Sequence, residues 1–206
     1  MAYPTVSAPY GFQPINRIDG MPYAGATKLL PIQSGYNTAI FNGDIVTLAS
    51  GGIVKSGVTS DSTTSAANYT FGVFVGVQYV NSSGQTVEAQ YYPGTSVTNA
   101  FAYVVVDPSA EYKVAVTSSG SAITGTTINA IGTNVQVVQG TGSTTTGNSA
   151  QSVLTPTGSA GAAAALPCRV IGVVPETATS ATNYVELIVK LNNPQIVSAG
   201  EAFNFA

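Results

Sequence analysis

The sequence predicts an all-β protein: a short-stranded antiparallel barrel or sandwich with an extended N-terminal arm and a long Thr/Gly-rich excursion. Three observations predict it. Apolar runs are short, and Gly, Asn, Ser and Pro separate them along most of the 206 residues, the rhythm of strands joined by tight turns. Val and Ile dominate those runs, with Tyr and Phe added, the residue types that suit a pleated, half-buried surface. No segment carries the apolar spacing of a helix of about 20 residues. A chain of this length suits one all-β domain or two small ones, and buries roughly 70% of its unfolded surface.

Residues 1–27 read as the arm. Tyr3, Pro4, Pro9, Tyr10, Phe12, Pro14 and Ile15 interleave aromatics with prolines that forbid a helix and favour extended backbone. Residues 28–116 read as the core of the barrel or sandwich. Strands are expected over Lys28–Ile32, Ile45–Leu48, Ile53–Val54, Phe71–Tyr79, Thr86–Tyr92, Ala100–Val106 and Tyr112–Val116. Asn42-Gly43-Asp44 and Ser50-Gly51-Gly52 supply turns around the second of these, with Asp44 as a turn residue. Val80–Gln85 holds Asn, Ser and Gly, so its flanking strands form a hairpin. From Thr86 to Tyr91 polar and apolar residues alternate, as on a strand with one wet face. Asp107-Pro108 is a turn, or opens a single helical turn that Asp107 caps.

Residues 117–166 are the excursion, culminating in Thr141-Gly142-Ser143-Thr144-Thr145-Thr146-Gly147-Asn148-Ser149. So long a stretch without regular structure is uncommon inside a compact domain. Ile123, Ile128, Ile131, Val135, Val137, Val138, Val153 and Leu154 punctuate it, which makes it packed and ordered, by its own chain or by a neighbouring subunit. One strand is expected at Val135–Val138 and a second short helical turn at Thr126–Ile131. Residues 167–206 complete the core with strands at Arg169–Val174 and Tyr184–Leu191, then end in Phe203-Asn204-Phe205-Ala206.

Composition excludes several chemistries. The chain has no histidine and one cysteine, so neither a Ser-His-Asp triad, a Cys-His pair, the usual structural zinc site nor an internal disulfide can form. The acidic residues match no motif, and most fall at turns or on wet strand faces; Asp107 with Glu111 would offer calcium too few oxygens. The Gly142–Gly147 run lacks the lysine of a phosphate loop. Cys168 follows Pro167 with no base nearby and reads as a small buried hydrophobe. Asn68-Tyr69-Thr70 and Asn81-Ser82-Ser83 match glycosylation acceptors without any secretory signal. No enzyme activity is expected, and no catalytic, cofactor or metal residue is assigned.

Partners are narrowed in the same way. The six basic residues stand singly and the net charge is −3, so no basic patch is available for nucleic acid. No run approaches the ~18 apolar residues of a membrane span. With only 7% charged residues, the surface is poorly guarded against self-association, which suits a protein covered in an assembly. Synthesis in a cytoplasm is expected. The aromatic termini are the candidate interface, with Tyr3, Pro4, Tyr10, Phe12, Ile15, Phe203 and Phe205 as docking anchors; folding back on their own barrel is the competing reading.

Several segments carry a resemblance in order along most of the chain: Ala8-Pro9-Tyr10-Gly11-Phe12, Ile32-Gln33-Ser34-Gly35-Tyr36, Phe41-Asn42-Gly43-Asp44-Ile45-Val46, Gly72-Val73-Phe74-Val75-Gly76-Val77, Asp107-Pro108, Gly142–Ser149 and Leu166-Pro167-Cys168-Arg169-Val170. With these the chain resembles small head structural proteins of tailed bacteriophages, especially short-tailed phages of marine and freshwater bacteria. A histidine expected a little after Lys190 in that family is absent. The resemblance implies a decoration, or cement, protein on the outer surface of the icosahedral capsid, made in the bacterial host cytoplasm. Its partners would be the major capsid protein and itself, as a homo-oligomer, a trimer ahead of a dimer. A tail, fibre or head–tail adaptor component is the alternative.

Overall fold

A computed structural model describes residues 6–59, 70–118, 121–122, 131–154, 166–177 and 184–192. Every regular element among them is a strand, so the protein is all-β and no described helix is long and apolar enough to cross a membrane. The strands form two sheets.

The first sheet contains β2 (Lys28–Pro31), β3 (Ile45–Ala49), β4 (Gly52–Lys55), β5 (Gly72–Asn81), β6 (Thr86–Ala89) and β7 (Val97–Val105), in the order β2-β7-β5-β3-β4 with β6 beside β5. It curls until its edges nearly meet. Ile32 and Ile53 form a parallel bridge, and the Gln33 N–H donates to the Ile53 carbonyl at 3.1 Å. The result is a nearly closed barrel filled by Ile32, Ile40, Val46, Ile53, Phe71, Phe74, Val77, Tyr92, Ala102 and Val104.

The second sheet is built on β8 (Ala110–Ser118). On one side lies β14 (Glu186–Leu191), followed by β13 (Cys168–Val173) and β10 (Asn134–Val135). Also paired with β8 are β1 (Gln13–Arg17), β9 (Ser121–Ala122) and β12 (Ser152–Leu154), the last of which carries β11 (Val137–Val138). The β8–β12 pairing is parallel, the exception in an otherwise antiparallel set of strand pairs.

The two sheets share their interior. Alternate residues of a strand face opposite sides, so β3, β5 and β7 send Val46, Phe74 and Val104 into the barrel, while their neighbours Ile45, Val73 and Val105 point outward. There they pack with Tyr112, Val114, Val116, Cys168, Val170, Leu187 and Val189 of the second sheet. This two-sided burial explains the unbroken apolar run Phe71–Val77, which shows no wet face.

Each of the expected strand runs contains a strand. The Val80–Gln85 hairpin is present, its turn held by the Asn81 side chain, which accepts from the Ser83 and Gln85 N–H groups at 2.9 and 3.0 Å. At Asp107 the chain makes a plain turn rather than a helical one: the carboxylate accepts from the Ser109 N–H at 2.8 Å, and β8 begins at Ala110. Thr126–Ala130 lies outside the described residues. The arm is not wholly free of the body, since β1 is a sheet strand. The described parts of the excursion, 117–118, 121–122, 131–154 and 166, contribute the end of β8 together with β9, β10, β11 and β12.

Candidate interaction surfaces

The N-terminal segment runs through the joint between barrel and second sheet. Gly11 crosses over the Asn42-Gly43-Asp44 turn, and both glycines have positive φ, 84° and 91°. A Cβ on Gly11 would stand 2.7 Å from the Gly43 carbonyl oxygen, and one on Gly43 would stand 2.9 Å from the Phe12 nitrogen. The crossing therefore needs glycine on both sides, for space as well as for φ. Bonds on either side fasten it: the Gly11 N–H donates to the Gln151 carbonyl at 3.1 Å and the Phe12 N–H to the Gly43 carbonyl at 2.9 Å.

The expected anchors divide along this path. Phe12 is fully buried in its own core and meets Tyr112 edge-on, ring centroids 6.3 Å apart. Docked on its own chain it is a core residue and leaves no exposed ring at the surface. Tyr10 is half-buried. Its hydroxyl donates to Glu186, its ring lies 5.6 Å beneath the Lys113 ammonium, and Lys113 pairs with Glu186 at 3.3 Å. Burial, then the Glu186 carboxylate, push the Tyr10 pKa far above its ordinary value. Ile15 is the extra residue of a β-bulge between β1 and β8, half-buried. Tyr3, Pro4, Phe203 and Phe205 lie outside the described residues.

The Thr-rich loop is ordered by its own chain. It sits on the Asn42 turn through an Asn42–Asn148 bridge, an Asn42 N–H to Gly147 carbonyl bond of 3.0 Å and a Ser149 N–H to Asn42 carbonyl bond of 2.8 Å. Beneath it lies a buried polar network that motif reading did not find. Asp44, fully buried, accepts from the Phe41 N–H at 2.8 Å and from Ser149 Oγ at 2.6 Å, and pairs with Lys55 Nζ at 3.1 Å. Gln151 continues it, accepting from the Ile45 N–H and donating to Gln139, whose amide in turn donates to the Ser56 and Val58 carbonyls. The Asp44 carboxylate is committed to three donors, so the arrangement acts as a structural tie between the Asn42 turn, β4 and the Thr-rich loop. Asp107, too, is spent internally, 3.2 Å from Arg17 Nε.

Among the described residues, an apolar strip on the barrel's outer face is open to solvent. On the outer side of the barrel, Leu29 opposes Tyr103 and Pro31 opposes Phe101, so the four share a face. Leu29 is 48% exposed and Phe101 39%. Gly76 lies beside Tyr103, whose hydroxyl reaches Glu88 at 3.3 Å. Pro31 lacks an N–H and stands on the strand at the barrel's open seam, a residue that discourages unwanted strand addition. Next to the strip a groove of about 530 Å³ runs between Gln33-Ser34-Gly35 and Val97–Phe101. Asn99 there adopts a positive φ of 49°, where β7 bulges against β5, and Ser96, just before β7, has φ 60°. This surface carries no sequence motif; only the i, i+2 spacing of Leu29 with Pro31 and Phe101 with Tyr103 announces it. Comparison of the chain with protein-family models, curated proteins and solved structures finds no match.

Proposed function

We propose that this chain is a decoration protein on the outer surface of a bacteriophage head, binding the major shell protein in many copies and bracing the joints between capsomers. The observation that carries the reading is the Leu29–Pro31–Phe101–Tyr103 strip, apolar and open to solvent while two interior clusters on either side of the same strands are closed. A rigid β body with a small apolar face fits a protein that binds an assembled lattice. Such a protein stabilises the lattice by mass action, because it binds the shell and not its free subunits. Repeated modest contacts then add up through multivalency. That the partner is a phage shell rests on the resemblance of the ordered series of segments to phage head proteins.

Quantitative mass spectrometry of purified particles, before and after tail removal, tests the reading. Hundreds of copies retained on tail-free heads are expected; a dozen copies that leave with the tail would make this a tail component. The strip is tested separately. Phe101→Asp should abolish rebinding to stripped heads while leaving the unfolding midpoint of the free protein within error, because surface changes of this kind cost little folding energy. Unimpaired rebinding would remove the strip from the interface.

A further inference from the structure

We propose that residues 6–23 form an exchangeable unit, hinged at 24–27, that docks in the seam of a second copy of this chain. The inference concerns two copies of one chain and is independent of what else they bind.

The unit is self-contained. Past β1 the chain turns back on itself through an Arg17 N–H to Met21 carbonyl bond of 2.9 Å and an Asn16–Pro22 bridge, and Tyr23 leans on the core cluster. Its attachments to the body run along one seam: Gly11 and Phe12 on the Gln151 and Gly43 carbonyls, Phe12 in the core, Tyr10 on Glu186 and Lys113, β1 along β8, and Arg17 and Ile18 on Asp107 and the Ser109 carbonyl in the turn before β8. Each of these partners exists on every copy. A neighbour's unit would therefore make the same contacts, which is why exchange of an identical element carries a low energetic cost.

The link to the rest of the fold is slight by contrast. Ala24, Gly25, Ala26 and Thr27 are all exposed, and Gly25 has φ +76° with nothing within 4 Å of where a Cβ would lie. These four residues carry the chain from the second sheet to the first strand of the barrel. Opening Gly25 to an extended conformation lets the hinge span about 13 Å, so exchange is confined to copies in direct contact. Held side by side, such copies meet at high effective concentration.

The test uses the register of β1 on β8, where Asn16 faces Glu111. In a Cys168→Ala background, Asn16→Cys and Glu111→Cys are made as separate variants, refolded together at high concentration and oxidised. Within one self-docked chain neither new thiol has a partner, whereas exchange brings one from each chain together. A disulfide-linked heterodimer on non-reducing gels is expected, and its yield should rise severalfold with Gly25→Pro, because proline cannot adopt the closed hinge's φ. The double variant on a single chain confirms that the pair can bond. Only intrachain bonding in the double variant, with no linked heterodimer in the mixture, overturns the proposal.

Discussion

Asp44 shows what a single residue contributes when its neighbours come from three parts of the chain. The carboxylate holds a turn N–H, a lysine and a serine 105 positions away. Asp44→Ala should cost about 3–5 kcal/mol, the range for removing one member of a buried pair, because the remaining donors lose their acceptor. Asp44→Asn keeps an acceptor oxygen and should cost clearly less. Urea unfolding of both variants checks the order; equal midpoints would mean that the retained acceptor oxygen contributes nothing and that the loss is that of the charge. As a turn residue Asp44 was legible, since Asn-Gly-Asp spells a turn. Its burial was not, because nothing local reveals that Ser149 will close over it. Cys168 was fully legible as a buried hydrophobe.

Among the elements, the segment around β1 separates local from non-local information. Prolines at 9 and 14 correctly signal extended backbone, but they conceal that the backbone joins a sheet. A bulge and a proline leave β1 few ladder bonds, so its attachment depends on Phe12. Phe12→Ala should cost about 3–5 kcal/mol and lower the midpoint of the whole protein in guanidinium, with the slope unchanged if the segment unfolds together with the body. A large loss of slope would show that the segment had already come away in the variant. Strands of the barrel were legible because Val, Ile and turn residues alternate over short distances. In contrast, β9 and β12 were not: runs of two or three residues set in Thr, Ser and Gly carry no periodicity. The open strip at Leu29 and Phe101 showed only an i, i+2 spacing, which does not tell an outward apolar residue from an inward one.

At the scale of the molecule, burial raises the pKa of seven groups among the described residues, Tyr10, Tyr112 and Cys168 the furthest. Tyr10 and Tyr112 are raised from 10.0 and Cys168 from 9.0, desolvation being the largest cause for each. The sign follows from proton counting: above pH 9–10 the unfolded chain releases protons that the folded chain keeps. Their contribution is therefore complete below pH 9 and is lost as pH rises further. Each group adds a slope of about 1.4 kcal/mol per pH unit, so stability should fall steeply between pH 9 and 11. Unfolding midpoints across that range check it, and the Tyr10→Phe, Tyr112→Phe double variant should flatten the fall; an unchanged slope would assign it to other groups. The Gly11–Gly43 crossing also has a consequence in time. Residue 12 leaves the ribosome 139 positions before Gln151, which closes the joint over it. At 5–20 residues per second, the Phe12 ring waits on the order of ten seconds for its pocket to be made. During that interval the nascent barrel can form around its own core, so an aromatic residue near the start of the numbering is among the last to take up its buried place.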